Sequence, residues 1–305
     1  PISSHSLFND ILKRCDFCTN FLLTHKNYMD YNLNFCVKCG SCKAICPTYE
    51  EGQIEGMSAR GRLMLLKKYF SGDIGYSDIL KQRIFSCILC GACNTLCPLG
   101  INITEAIYNG RKEYRRIKKN KDLLEFFIRF SFNRTEKTMR ALRILQNMNH
   151  VIPIYKIKPL NTLRDLKISL PNSFLREKIS LFKASTPKGR VALFAGCTVN
   201  FLYPGIGMSL IKSLNALSYD VILPRGEVCC GAPLMGLGIE EDTIKIAEKN
   251  IKLYKDLNVD AVIGLCPTCI YFIKDQYKKI YGEGIDNALE ISQFVVDKLK
   301  EKIEM

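Results

Sequence analysis

From residue 190 onward, short apolar runs alternate with longer stretches whose apolar residues recur every three or four positions. RVALFAG (190–196), YDVILP (219–224) and DAVIGL (260–265) have the length and β-branched content of buried strands. GIGMSLIKSLNAL (205–217), EDTIKIAEKNIKLYKDL (241–257), CIYFIKDQYKKI (269–280) and NALEISQFVVDKLKEKI (287–303) carry helical periodicity. Strand and helix in alternation predict an α/β region with a small parallel sheet. Earlier in the chain the period is helical. SARGRLMLLKKYF (58–70) opens on a serine suited to capping, and DLLEFFIRF (122–130) and TMRALRILQNM (138–148) predict further helices. VIPIYKIKPL and SLPNSF read as irregular chain broken by Pro153, Pro159 and Pro171, and STPKG (185–189) as a turn at a boundary.

Charge divides the chain in the same places. Residues 1–110 hold 11 basic and 9 acidic side chains, residues 111–190 hold 21 and 6, and residues 191–305 hold 12 and 15. The net charge of +14 therefore comes from the middle. The expected organisation is an α+β two-domain protein: a helical domain over 1–110, a basic helical and irregular connector over 111–189, and an α/β domain over 190–305. The uncharged stretch Val191 to Ile211 could span a bilayer by length, but Pro204 and its glycines break the helix such a span needs. No transmembrane segment is expected. The start, PISSHSLFNDILKRC, shows no apolar leader, so a cytoplasmic location is expected.

Fifteen cysteines in 305 residues change the picture most. They cluster at C-x-x-C spacings, which favours metal ligation in a reducing compartment over a disulfide framework. CVKCGSCKAICP (36–47) and CILCGACNTLCP (87–98) share the pattern C-x2-C-G-x-C-x3-C-P. This is the two-cluster run in which the fourth cysteine ligates the other cluster. One 4Fe-4S cluster is thus expected on Cys36, Cys39, Cys42 and Cys97, and a second on Cys87, Cys90, Cys93 and Cys46. Gly40 and Gly91 let the backbone approach, while Pro47 and Pro98 end each run. Zinc, the alternative for such cysteines, generally takes them in separated pairs.

Five more cysteines follow the three predicted strands: Cys197 after the first, Cys229 and Cys230 after the second, Cys266 and Cys269 after the third. Ligands gather at the carboxyl ends of parallel strands, so all five are expected at one edge of the sheet. Adjacent Cα atoms lie about 3.8 Å apart, less than an ordinary disulfide spans. Cys229 and Cys230 therefore read as ligands to something larger than one ion.

With the two runs upstream, the pattern C-x31-CCG-x34-C-x-x-C resembles iron–sulfur subunits that fuse a two-cluster ferredoxin region to a cysteine-rich CCG domain. The D-type polypeptide of heterodisulfide reductase and the iron–sulfur subunits of glycolate oxidase and anaerobic glycerol-3-phosphate dehydrogenase are of this kind. The long helical spacer between the runs is similar to the helical ferredoxin type. The resemblance implies an electron-transfer subunit of a multisubunit oxidoreductase, placed between a flavoprotein dehydrogenase partner and a quinone or disulfide acceptor. It also implies an alternative, a catalytic disulfide reductase acting through Cys229 and Cys230. At the five cysteines it implies a noncubane 4Fe-4S cluster, zinc or an empty site. One zinc ion needs only four ligands, which favours the cluster. Longer members carry two CCG modules and this sequence shows one, so a second CCG-containing subunit is a further expected partner.

Other features carry less. Cys15 and Cys18 form an extra C-x-x-C with no nearby mate: half a zinc site, a redox pair, or ligands shared with a partner. GAPLMGLG (231–238) lacks the order of a phosphate loop, and its glycines read as backbone kept close to a bulky cluster. His5, His25 and His150 sit in no motif. RKEYRRIKKNK (111–121) beside LLEFFIRFSF reads as a solvated helix face, or as a peripheral contact with an anionic membrane or a partner subunit. For nucleic acid only its charge speaks, with no recognition module beside it.

Overall fold

The computed structural model describes residues 35–117, 123–148, 170–178 and 180–303. Cys15, Cys18, the three histidines and VIPIYKIKPL lie outside the described residues. The chain groups into two compact units that divide at residue 120, with Gly236–Ile239 belonging to the first.

Helices are the regular elements of the first unit among its described residues. α1 (Ser41–Ala44), α2 (Pro47–Gly52), α3 (Ala59–Phe70), α4 (Asp78–Phe85), α5 (Ala92–Thr95) and α6 (Ile103–Ile117) follow in order. Ser58 caps α3 as expected, its hydroxyl accepting from the Gly61 amide at 2.9 Å. Leu63, Leu66, Leu80, Ile84, Ala106 and Ile107 are buried at the centre, which places α3, α4 and α6 around one core. Each such leucine or isoleucine side chain stabilises the fold by about 1.5–3 kcal/mol. Gly110 of α6 is where that core is tightest, since a Cβ there would come within 2.5 Å of Leu66. Cys42 and Cys93 belong to the same buried group.

The second unit holds α7 (Leu123–Asn133), α8 (Thr135–Met148) and α9 (Leu175–Lys178), then a five-stranded sheet with its helices. The strands are β1 (Leu181–Phe182), β2 (Gly189–Phe194), β3 (Tyr219–Ile222), β4 (Ala261–Gly264) and β5 (Ala288–Glu290), in the order β1-β3-β2-β4-β5. β3, β2, β4 and β5 run parallel, with Val191 opposite both Val221 and Ala261. β1 pairs antiparallel with β3, so the sheet is mixed where a purely parallel one was expected. Two residues give too short a run to be legible as a strand. The expected final helix also divides: residues 288–290 pair with β4 as β5 before the helix begins. Tertiary pairing there overrides a helical period.

The remaining helices are α10 (Pro204–Ala216), α11 (Ala232–Gly236), α12 (Glu240–Lys255), α13 (Pro267–Tyr271), α14 (Tyr277–Tyr281) and α15 (Ile291–Ile303). Val191, Leu193, Val221 and Ile263 share one core with Leu210, Ile211 and Leu214 of α10 and Phe294 of α15. Successive strand residues face opposite ways. Phe194 accordingly looks to the other side, where its ring lies 5.7 Å from that of Tyr254 on α12. Helices therefore cover both faces, as a parallel sheet requires. α7 is tied to α12 by Asn133, which donates to Asp242 at 3.1 Å, and by an Arg129–Asp242 ion pair at 3.2 Å. No helix among the described residues is long and apolar enough to cross a membrane.

Candidate metal centres

The two cysteine runs adopt the same backbone. Lys38 and Leu89 take left-handed φ values of 58° and 57°, and Gly40 and Gly91 follow at 95° and 78°. Each glycine leads into a four-residue helix, α1 or α5, that carries the third cysteine inward. Left-handed backbone is costly for Lys and Leu. It curls each loop around the space between its cysteines.

Cys36, Cys39 and Cys42 line one cavity, and the fourth cysteine there is Cys97 from the other run. Cys87, Cys90 and Cys93 line a second cavity, where the fourth is Cys46. Each cavity thus draws three thiols from one run and one from the other. Apolar walls surround them: Leu63, Ile101 and Ile103 in the first, Ala59 and Ile107 in the second. Each also holds one arginine of α3, Arg60 in the first and Arg62 in the second. Arg60 pairs with Glu55 at 2.7 Å and stays partly exposed. Arg62 is fully buried, donating to the Arg83 carbonyl at 2.6 Å, to Thr48 at 2.9 Å and to Ser86 at 3.0 Å, with the Cys46 sulfur at 3.8 Å.

Crowding shows in the proton affinities. Burial, then the neighbouring Cys87 and Cys90, push the Cys93 thiol up to about 12. Burial and then Cys36, Cys39 and Cys97 raise Cys42. Burial also acts on Cys46, but the Thr48 hydroxyl, nearby amides and Arg62 outweigh it and hold the thiol below its ordinary value. Four thiols converging in an apolar pocket cannot all ionise without positive charge at the centre. An iron–sulfur core supplies that charge, and the donor set fits it. All thirteen described cysteines are free thiols.

Asn94, with no signal in the sequence, fixes the second run to α6. Its Oδ1 accepts from the Ile103 and Thr104 amides at 2.9 and 3.2 Å, and its amide donates to Asn102 and Thr104.

The five remaining cysteines lie at the carboxyl ends of β2, β3 and β4, neighbouring strands that run parallel. Their thiols shift one another's proton affinities in sequence: Cys197 with Cys229, Cys229 with Cys230, Cys230 with Cys269, and Cys269 with Cys266. Among the described residues no three Cys, His, Asp or Glu side chains are set around a single ion. Sulfurs strung out in this way suit a core of several metal atoms. Cys266, the N-cap of α13, is held down at about 5 by the Cys269 thiol and then by backbone amides, against the effect of burial. Cys229 is pushed up to about 12: Cys197 lowers it, but Cys230 and burial prevail. Cys230 sits well below its ordinary value because Cys229 and Cys269 both support its thiolate.

A buried polar frame holds these loops. The Glu227 carboxylate accepts from the Ala195 and Gly196 amides at 3.1 and 2.8 Å, from the Tyr254 hydroxyl at 2.7 Å and from Arg176 at 3.2 Å. It thereby ties the loop bearing Cys197 to the loop bearing Cys229. Asn250 accepts from the Val228 amide and donates to the Cys229 carbonyl, and Tyr277 donates to the Cys230 carbonyl at 2.9 Å. Gly196 has φ 60°, and a Cβ there would stand 3.3 Å from the Cys269 sulfur. The glycine of CCG, Gly231, turns at φ 88° where a Cβ would reach Thr243 at 2.9 Å. π-helical turns follow directly on Cys197 and near Cys269, at Thr198–Leu202 and Phe272–Gln276, a feature frequent at functional sites. None of Glu227, Asn250, Tyr254 or Tyr277 stands in a motif.

Known proteins match both regions. Residues 32–101 match the family described as a 4Fe-4S dicluster domain, and residues 191–274 match that described as a cysteine-rich domain, CCG. The chain is 27% identical over 245 residues to an uncharacterized iron–sulfur protein of Methanococcus maripaludis, covering 80% of this chain and 44% of that protein. It is 28% identical over 258 residues to a probable glycolate oxidase iron–sulfur subunit of Bacillus subtilis, covering 79% of this chain and 58% of the other. It is 23% identical to the D-type polypeptide of the dihydromethanophenazine:CoB–CoM heterodisulfide reductase of Methanosarcina acetivorans, covering 88% and 63%. The chain thus spans about half the length of the first curated relatives it matches. No solved structure matches it. Two cysteine cavities, followed by a sheet edge carrying five thiols, accord with the two matched families, a 4Fe-4S dicluster domain and then a cysteine-rich CCG domain, and with the similarity to iron–sulfur proteins.

Proposed function

We propose that this chain is an electron-transfer subunit of a multisubunit oxidoreductase, relaying electrons between a flavoprotein dehydrogenase partner and a quinone or disulfide-type acceptor. Cys36, Cys39, Cys42 and Cys97 hold one 4Fe-4S cluster in this reading, and Cys87, Cys90, Cys93 and Cys46 hold a second. Cys197, Cys229, Cys230, Cys266 and Cys269 hold a third, noncubane cluster. Such clusters, when bound, accept and release single electrons. The chain's own residues supply the rest. Thiolates fix the positions, Leu63, Ile101 and Ile107 keep water away, and Arg60 and Arg62 balance negative charge.

The observation that carries the reading is the exchange of Cys97 and Cys46 between the two cavities. Ligands traded in this way keep two clusters close together, and electron transfer between them requires closeness. The relatives named as subunits of glycolate oxidase and heterodisulfide reductase support a role in partnership with other chains. A second CCG-containing subunit remains part of the proposal, as does peripheral attachment to a membrane. Anaerobic purification with iron, sulfide and zinc counting tests it. About twelve irons per chain are expected, as three four-iron clusters require. About eight irons with one zinc would assign the third site to a single ion, and material free of iron would overturn the proposal.

A further inference from the structure

A cavity of about 460 Å³ opens within the second unit, between the start of α8 and the loop leading to the paired cysteines. Arg134, Thr135, Lys137, Arg140, Arg176 and Cys229 all line it. Its charges are unevenly spent. Arg140 is held by Glu136 at 2.6 Å and by Glu177 at 3.5 Å, and Arg176 is paired with Glu227 at 3.2 Å. Both lining carboxylates, Glu136 and Glu227, are therefore already engaged. Arg134 and Lys137 are exposed and have no carboxylate partner among the described residues, Arg134 resting only over the Phe130 ring.

Two further features point the same way. Thr135 and Lys137 lie in the first turn of α8, a helix of 14 residues whose first amides lack intrahelical acceptors. That end carries partial positive charge and favours anions. Arg176 is nine-tenths buried, and its Nε has no hydrogen-bond partner among the described residues. A buried donor left unpaired is expensive, and a shift of this side chain toward a ligand acceptor in the cavity it lines would satisfy it.

We propose that this cavity binds a small dianion, of the dicarboxylate or phosphate-ester class, beside Cys229. Its two charges match the two free cations, the first turn of α8 adds donors, and the occupant lies against the third metal centre. Only that last feature rests on the cluster reading; the binding itself does not.

Titration calorimetry on the full chain, purified anaerobically with its metals, tests the proposal with succinate, its uncharged isostere succinamide, and inorganic phosphate. Succinate is expected to bind at least ten-fold more tightly than succinamide, with phosphate competing. The double variant Arg134→Gln, Lys137→Gln is expected to weaken succinate by ten-fold or more while leaving the thermal melt unchanged, because both side chains are exposed. Equal binding of the charged and neutral probes, no binding of either, or a double variant that binds like the parent would each overturn it. Metal content, counted on the same samples, reports separately on the clusters. A chain lacking the third cluster that still binds succinate would retain this site and lose the cluster reading.

Discussion

At the scale of single residues, the two cysteine cavities differ most in their arginines. Arg60 is partly exposed and shares its charge with Glu55, whereas Arg62 is fully buried with no carboxylate partner among the described residues. A charge screened by water does little at a few ångströms, while a buried one acts at much lower effective dielectric. Arg62→Gln is therefore expected to lower the reduction potential of the cluster proposed for Cys46, Cys87, Cys90 and Cys93 by on the order of tens of millivolts. Arg60→Gln is expected to shift the other cluster less. Redox titration followed by EPR measures both, and equal shifts would contradict the argument. Arg62→Gln also strands acceptors on Arg83, Thr48 and Ser86, a loss of about 1–3 kcal/mol that should appear as a lower melting temperature.

Among the elements, α7 shows a face that its own unit leaves uncovered. Phe126, Phe127 and Phe130 are 62%, 56% and 45% exposed, in a segment rich in lysine and arginine. Aromatic side chains flanked by basic ones suit the headgroup region of an anionic bilayer. Phe126→Ser with Phe130→Ser is expected to reduce cosedimentation with phosphatidylserine vesicles by about the loss of two buried aromatic side chains, several-fold or more. Unchanged cosedimentation, or none by the parent chain, would remove membrane contact from the proposed function. The helix itself was legible in the period of DLLEFFIRF, which predicted residues 122–130 against the observed Leu123–Asn133. Its attachment to α12 through Asp242 was not, because that contact joins residues 109 apart.

For the whole molecule, the question is whether the proposed third centre relays electrons or performs chemistry. In the complete complex, Cys230→Ser separates the two. A relay that delivers electrons through the ferredoxin-type clusters keeps dye reduction driven by the flavoprotein partner. A catalytic site for disulfide reduction loses that reaction outright while dye reduction persists. Retention of disulfide reduction by Cys230→Ser would exclude the catalytic reading. The serine also removes a thiolate buried between Cys229 and Cys269, so iron content should be counted on the same sample.

The sequence alone determined the alternation of β2, β3 and β4 with helices, the helices α3, α7 and α8, both cysteine runs and the placing of five further cysteines after three strands. These are matters of local spacing: a C-x2-C-G turn or a buried β-branched run carries its signal within a few residues. Tertiary structure decided what distant parts of the chain do to one another. The antiparallel edge strand β1, the conversion of residues 288–290 into β5, the burial of Arg62 and the frame of Glu227, Asn250, Tyr254 and Tyr277 are of this kind. Such contacts join residues 21 to 47 apart, so the same side chains in another fold would be ordinary surface groups. A hydrogen bond or ion pair takes its strength from surroundings that only the folded chain supplies.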